Sequence, residues 1–274
     1  MGRGRSRAIL GLLVALWAPA ATGGEVAERD FGRISAGLAY DWSEGDYEGD
    51  RTTTIHYGAL RLAYLTPEIA WTPGLYDWVA IQAELALLGI EGPAVVRRAD
   101  AAAGRPDTES SSGLGDVRMG ASYGFQLARP GPWPYIELAA EAKAPTADED
   151  EGLGTGEWDA TVELAVSRSF GGFTPFAVGA RRFQGDPPGL DLNDRWLASA
   201  GATQRLFAGL SFGLYYDFRE APSASTEDGH ALVASFSWSG GGLRVSPYGL
   251  IGLSEGSPDF ALGAELRADF DLRF

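Results

Sequence analysis

The sequence predicts an all-β protein, a transmembrane antiparallel up-and-down β-barrel of about 12 strands. Three observations favour this fold. Apolar residues recur at every second position in many segments, the connections alternate between tight turns and long acidic loops, and the chain opens with an export signal. A secreted soluble sandwich shows the same alternation around a dry core, but the three features together favour lipid outside the barrel and polar residues in its lumen.

The first 20 residues have the features of a secretory signal peptide. Arginines precede an apolar run at 8–17, and an Ala-Pro-Ala sequence follows at 18–20. The run is too short to span a membrane as a helix. We therefore expect cleavage between residues 20 and 24. We expect residues 25–274 to form one barrel domain in the outer membrane of a Gram-negative bacterium.

The composition excludes some classes of protein. The 274 residues carry a formal net charge of -15 and include no cysteine. An acidic surface is unsuited to nucleic acid, which binds basic residues. No disulfide framework can form, so closure of the sheet, which leaves no unpaired edge, is expected to stabilise the fold. The expected partners are outer-membrane lipid and lipopolysaccharide, the barrel-assembly machinery and a small-molecule solute, without a cofactor.

The alternation predicts an even number of strands, as bacterial barrels require. In each strand the apolar side chains lie on one face and the polar or small ones on the other. Met119 and Ala121, for example, lie on one face, and Arg118 and Gly120 lie on the other. The predicted strands span residues 32–41, 53–65, 78–90, 116–127, 135–143, 157–167, 173–182, 194–206, 210–218, 230–238, 243–253 and 259–274. The last stripe ends on Phe274 and resembles the signal that the barrel-assembly machinery recognises.

The connections fall into two sets that alternate along the chain. One set is short or rich in Pro and Gly, and the other is longer and mostly acidic, as at 42–50 and 145–155. Consecutive connections of a meander lie at opposite ends, so the pattern predicts periplasmic turns and extracellular loops. Aromatic residues near both sets predict two girdles, formed by Trp71, Trp78, Trp133 and Tyr135 near the turns and by Tyr40, Trp42, Trp158 and Trp196 near the loops.

Two Gly-rich motifs go beyond generic barrel patterning. They are SGLGDVRMGASY, from Ser112 to Tyr123, and KAPTADEDEGLGTGEWD, from Lys143 to Asp159. Both resemble motifs of the outer-membrane transporters of the meta-pathway of phenol degradation family. The second motif has Ala147 where that family usually has Gly. The matching residues are Gly113, Gly115, Asp116, Lys143, Pro145, Thr146, Gly154 and Gly156.

The resemblance implies an outer-membrane channel for small solutes, including aromatic or other apolar compounds. It covers about a third of the chain, and Gly-rich motifs are moderately specific. The residues have a physical interpretation of their own. Gly113 and Gly115 permit a bend or a positive φ where a loop meets a strand, and Asp116 then points inward. Lys143 and Asp159 lie on adjacent strands near one rim and could form an ion pair.

Sequence motifs that would indicate an enzyme or a metal site match only weakly. The sequence GASYG at 120–124 matches a nucleophile-elbow pattern, but Ser122 lies within a strand rather than at a strand-to-helix turn. His56 and His230 are the two histidines, and each falls in a predicted strand. The acidic segment that follows Lys143 has Leu153 where a calcium loop needs Gly. We therefore expect neither an enzyme nor a dedicated metal site.

Charged residues on the inward stripes are the best functional signal. Both signs occur, which suits either a salt-bridged interior or a narrow wet pathway. A channel for small solutes, a structural or surface-interaction barrel with a closed lumen, and an outer-membrane hydrolase are the three hypotheses, in that order. In the channel we expect carboxylates to be met across the lumen by Arg61, Arg118, Lys143, Arg195 and Arg267. The lumen candidates are Arg61, Glu84, Asp116, Arg118, Glu137, Glu141, Lys143, Asp159, Glu163, Arg195, Glu265 and Arg267.

Overall fold

The computed structural model describes residues 31–44, 52–67, 75–91, 110–127, 133–187, 192–224 and 226–271. The expected signal peptide with its cleavage site, Trp71 and the terminal Phe274 lie outside these ranges. No helix in the described part of the chain is long and apolar enough to cross a membrane.

The described residues form one antiparallel sheet. Its strands are β1 (Phe31–Glu44), β2 (Thr52–Pro67), β3 (Leu75–Glu91), β4 (Ser110–Leu114), β5 (Val117–Leu127), β6 (Tyr135–Ala144), β7 (Asp159–Ser167), β8 (Phe173–Phe183), β9 (Arg195–Phe207), β10 (Leu210–Arg219), β11 (Gly229–Gly240), β12 (Leu243–Gly252) and β13 (Phe260–Asp271).

The sheet closes into a barrel. Consecutive strands pair with each other, except that β4 and β5 both pair with β3, and β1 pairs with both β2 and β13. Because β4 and β5 lie end to end against β3, they occupy one strand position, and the barrel has 12 positions. The predicted closed barrel of about 12 strands is confirmed. We call the end with the tight connections the turn end and the opposite end the loop end.

A β-bulge joins β4 to β5. Leu87 pairs with Leu114 and Glu84 pairs with Arg118, so three residues at 115–117 oppose two on β3. Gly115 N donates to Ala86 O at 2.9 Å. The sequence analysis placed β4 in a loop, since the serines at 110–112 hide the alternation of this short strand. The extra residue re-aims the chain, so Asp116 points inward.

The two faces of the wall are inverted relative to a soluble protein. Leu38, Ile81 and Leu262 are exposed on the outer face, at 72%, 57% and 59% of their maximum. Charged side chains such as Glu84 and Arg118 are buried on the inner face. A continuous apolar outer band is the surface that lipid covers in a membrane barrel.

The inner face also carries an apolar belt, which the sequence analysis did not predict. One cluster consists of Ala165, Phe176, Val178, Tyr215, Ala231, Val233, Leu250 and Ala261, and a smaller cluster consists of Ala39, Tyr57 and Ala86. Tyr248 packs against both clusters. The lumen is therefore not polar throughout, because inward residues of β7, β8 and β10 to β13 are apolar.

Candidate functional site: the lumen of the barrel

Lys143 is the centre of a buried ionic cluster at the loop end. Its Nζ lies 2.9 Å from Asp116 Oδ2 and 3.3 Å from Asp159 Oδ2. Nζ also donates to Thr155 Oγ1 at 3.0 Å. The register pairs Lys143 with Asp159 across β6 and β7, which places both side chains on the inner face. One ammonium group thus faces three acceptors from three chain segments.

Lys143 is also the single lysine of the chain, in which arginine supplies every other basic side chain apart from the histidines. A lysine ammonium is a compact charge with three donors, whereas guanidinium is a planar fork suited to bidentate partners. Three acceptors arranged around one point suit the ammonium group. The cluster therefore explains why this position departs from the chain's use of arginine.

Asp116 connects the two sequence motifs. Its Oδ1 accepts hydrogen bonds from Thr146 N at 2.9 Å and Ala147 N at 3.0 Å. Thr146 Oγ1 in turn accepts from Val117 N at 2.8 Å. Pro145 lies between β6 and these bonds. The two motifs are distant in sequence, but they form one structure at the loop end.

The glycines of these motifs meet different structural requirements. A Cβ on Gly113 would lie 2.7 Å from Leu153 Cδ1, so glycine lets the buried Leu153 pack against β4. Gly156 has a φ of 73°, in the region that favours glycine. Gly113 and Gly115 do not have positive φ, so of the two expected roles only the bend occurs. Gly154 lies over Asp116, where a Cβ would be 2.8 Å from Ala147 Cβ.

The same cluster joins two loops. Asp159 Oδ1 accepts from Gly185 N at 3.3 Å, in the connection between β8 and β9. Asn193 N in that connection donates to Pro222 O at 2.8 Å, in the connection between β10 and β11. Leu153 and Leu192 are buried under these loops. The described parts of these loops are therefore joined to one another around Lys143.

A second ionic layer lies on β2, β3, β5 and β6. Arg61 Nε donates to Glu84 Oε2 at 3.0 Å, and Arg118 donates to Glu141 Oε1 at 2.9 Å. Tyr57 donates its hydroxyl to Glu84 Oε1 at 2.9 Å. Each partner lies on a neighbouring strand. These bonds give the buried charged groups hydrogen-bond partners, without which their burial would be costly.

Two further carboxylates extend this layer towards the turn end. Glu137 accepts a hydrogen bond from Tyr135 at 3.1 Å. Glu163 interacts with the like charges of Glu137 and Glu141 and forms no ion pair with any described residue. The wall of β6 and β7 is therefore negative at mid-height.

The turn end is basic by contrast. Arg33 Nε lies 2.7 Å from Asp269 Oδ1, and Arg267 lies 2.8 Å from Asp269 Oδ2. Arg244 on β12 is the register partner of Arg267 on β13. Glu265 interacts electrostatically with this group. Three arginines thus surround Asp269, with Glu265 nearby.

The wall of β8 to β10 carries two buried arginines, Arg182 and Arg219, that were not predicted from the sequence. Arg195 is buried as expected for a lumen candidate, and Arg182 and Arg219 are buried beside it. Asp217 accepts from Arg219 Nε at 2.7 Å and from Ser199 Oγ at 2.7 Å. Arg182 was difficult to predict because Arg181 precedes it, so the sequence alone leaves either residue as the inward one.

The ion pairs run along the wall. The sequence analysis had Arg61, Arg118, Lys143 and Arg267 meeting carboxylates across the lumen, and this was wrong. In the described part of the barrel, each of them pairs within one strand or with a neighbouring strand. Neighbouring strands place inward side chains about 5 Å apart, closer than any partner across the lumen.

The aromatic girdles also need a correction. Trp78 and Tyr135 alternate with outward residues, so they face the lumen, where their rings stack at a centroid distance of 6.4 Å. Gly124 provides the space for this stack. Trp133, Trp158 and Trp196 are exposed on the outside, and Trp42 stacks on Phe260 at 5.3 Å.

The two histidines lie on the outer face. His56 contacts the ring of Tyr40, and the ring of His230 bonds to the Tyr216 hydroxyl. Ser122 lies on the inner face, so neither histidine is on its side of the wall. No group of three or more metal-ligating side chains occurs in the described ranges.

Solved structures with a similar fold are outer-membrane barrels. An outer-membrane channel from Pseudomonas putida F1 matches with a TM-score of 0.71 and 16% identity, over 91% of this chain and 98% of that chain. The toluene transporter TbuX of Ralstonia pickettii matches with a TM-score of 0.50 and 12% identity, over 99% and 96%. The β-domain of the Bordetella autotransporter BrkA matches with a TM-score of 0.52 and 13% identity, over 88% and 99%. These identities show the fold alone.

Sequence comparison shows the family. No curated protein matches the chain significantly. A family model described as "Putative MetA-pathway of phenol degradation" matches residues 41–270, which include both Gly-rich motifs and most of the barrel. The chain belongs to this family of outer-membrane β-barrel proteins.

Proposed function

We propose that the barrel is a channel for small solutes, with a lumen suited to neutral and apolar molecules. The observation that carries this proposal is the direction of the ion pairs. Buried charges are satisfied by their neighbours along the wall, so pairing does not tie opposite walls together. A barrel filled for stability would use contacts across its centre.

The apolar belt supports the choice of solute. Phe176, Val178, Val233 and Leu250 belong to a buried apolar cluster on the inner face. Apolar surface in a lumen lowers the free energy of an apolar solute relative to water. TbuX is named as a toluene transporter, but its low sequence identity to this chain shows only that the two folds are similar. The preference for apolar solutes therefore rests on the belt.

A catalytic role is not part of the proposal. A hydrolase would need a nucleophile and a base within hydrogen-bond reach of each other. The wall separates Ser122 from both histidines, which belong to the outer aromatic rim. Outer-membrane lipid, lipopolysaccharide and the barrel-assembly machinery remain proposed partners, as expected for a barrel of this type.

The channel can be tested with single cysteines, because the chain has none of its own. Ser246 lies on the inner face and Val245 on the outer face of the same strand. A charged methanethiosulfonate reagent should reduce single-channel conductance in planar bilayers for Ser246→Cys and leave Val245→Cys unchanged. Absence of conductance in the wild type, or equal responses of both variants, would support the closed structural barrel.

A further inference from the structure

Asp41 is a buried carboxylate in an otherwise apolar row of the lumen wall. On the inner face it pairs in register with Ile55 of β2 and Ala261 of β13. The row continues through Leu250 of β12 and Val233 of β11. Asp41 is 3% exposed, and its Oδ1 has no hydrogen-bond partner among the described residues. Burying a carboxylate without such partners is costly, so its retention needs a reason.

Tyr248 provides a second polar group at the same place. Its ring lies on Gly263 of β13, where a Cβ would be 2.6 Å from Tyr248 Cε1. Gly263 pairs with Ala39 of β1, which precedes Asp41 on the inner face. Asp41 interacts electrostatically with Tyr248. The Tyr248 hydroxyl makes no hydrogen bond within the described part of the chain, and it is not bonded to Asp41.

The pair therefore offers one acceptor and one donor beside an apolar surface. Ile55, Leu250 and Val233 are buried in the same row, and Tyr248 packs against both apolar clusters. A carboxyl oxygen accepts hydrogen bonds in either protonation state of the group.

We propose that Asp41 and Tyr248 form a binding site for the hydroxyl group of a small, otherwise apolar solute. The solute hydroxyl donates to the Asp41 carboxylate and accepts from the Tyr248 hydroxyl. The hydrocarbon part lies on the apolar belt. A purely hydrocarbon solute would leave both polar groups unsatisfied, so the site discriminates in favour of the alcohol. This inference rests on the proposed channel function and deepens it.

Equilibrium binding to the purified, full-length mature barrel in detergent tests the site. The probes are 4-bromobenzyl alcohol and its methyl ether, which share an apolar body, and titrations into empty micelles correct for partitioning. The wild type should bind the alcohol roughly tenfold more tightly than the ether, about 1.4 kcal/mol. Asp41→Leu should abolish this preference, and Tyr248→Phe should reduce it. Asp269→Asn, at the turn end, should leave it unchanged.

Asp41→Leu removes a buried carboxylate without a hydrogen-bond partner, so the variant should fold. Should it fail to fold, the alcohol-to-ether ratio of the wild type still decides. Anomalous scattering from bromine in soaked wild-type crystals should place the alcohol beside Tyr248. Equal affinities, or bromine elsewhere in the barrel, would overturn the site. Conductance and thiol modification at Ser246 are measured separately, so loss of the channel function would not be mistaken for loss of this site.

Discussion

Lys143 Nζ and Asp116 Oδ2 lie 2.9 Å apart, although 27 residues separate them in the chain. Both side chains are buried, and Asp159 approaches the same ammonium group. Removing the cation would leave two buried carboxylates without their counter-ion. The loop end should therefore be the region most sensitive to a single substitution.

Lys143→Met should lower the free energy of unfolding by about 3–5 kcal/mol, because it breaks a buried ion pair by removing one partner. Urea unfolding of the refolded barrel in detergent measures this change. Lys143→Arg retains the charge but not the three-donor geometry, so its cost should be smaller. Equal stability of the wild type and Lys143→Met would show that the cluster does not stabilise the mouth.

Amine reagents provide an independent check of burial. Lys143 is 3% exposed and is the chain's single lysine. In the folded barrel only the α-amino group should react, and unfolding should add one further modification by mass spectrometry. Rapid labelling of Lys143 in the folded state would contradict the buried cluster.

The two faces of β5 should respond differently to a charge. Arg at the outward Ala121 should cost about 2–4 kcal/mol near the bilayer midplane. The control is Ser122→Arg on the lumen face, where Glu137 is close enough to accept a hydrogen bond from Ser122. Gly120 is a poorer control, since a Cβ there would lie 3.0 Å from Ala140 O. Equal costs at residues 121 and 122, by unfolding in lipid vesicles, would mean that the faces are misassigned.

Gly124 should not tolerate a methyl group. A Cβ there would lie 2.6 Å from Trp78 Nε1, so Gly124→Ala must displace the Trp78–Tyr135 stack. Overpacking of this kind costs about 1–3 kcal/mol. Gly179→Ala is the matched control, because nothing lies within 4 Å of the added Cβ. Thermal unfolding followed by tryptophan fluorescence should separate the two variants, and identical transitions would refute the close contact.

The open channel should prefer cations to anions. Glu163 lies beside Glu137 and Glu141 on the lumen wall, and acidic residues at 148–151 lie at the loop end. Carboxylates concentrate cations within a Debye length, about 8 Å at physiological salt. Glu163→Gln, and separately neutralisation of Glu149, Asp150 and Glu151, should weaken the preference in reversal potentials across a salt gradient.

Asp148 stays unchanged in the loop variant, because its Oδ1 accepts from Asp150 N and Glu151 N and shapes the turn. Anion selectivity of the wild type would contradict this prediction. An unchanged reversal potential in both variants would remove these carboxylates from the selectivity mechanism.

The sequence by itself determined the class of fold and the position of nearly every strand. Period-two alternation is a local property, since each residue's face follows from its neighbours on the same strand. That is why the outward stripe of β13 and the inward Glu84 and Arg118 could be assigned without coordinates. The local signal weakened at β4, where a short run of serines lacks an apolar stripe.

Only the tertiary structure decided which inward residues meet. The register between strands brings Lys143 to Asp116 and Asp159, and it places Asp41 between Ile55 and Ala261. Register depends on closure and on the bulge at 115–117, which act on strands far apart in the chain. The same dependence hid the apolar belt, because pairings between strands bring its residues together and no single segment contains them. The inward face of Trp78, by contrast, follows from its even spacing from Glu84 on β3 and could have been assigned from the alternation.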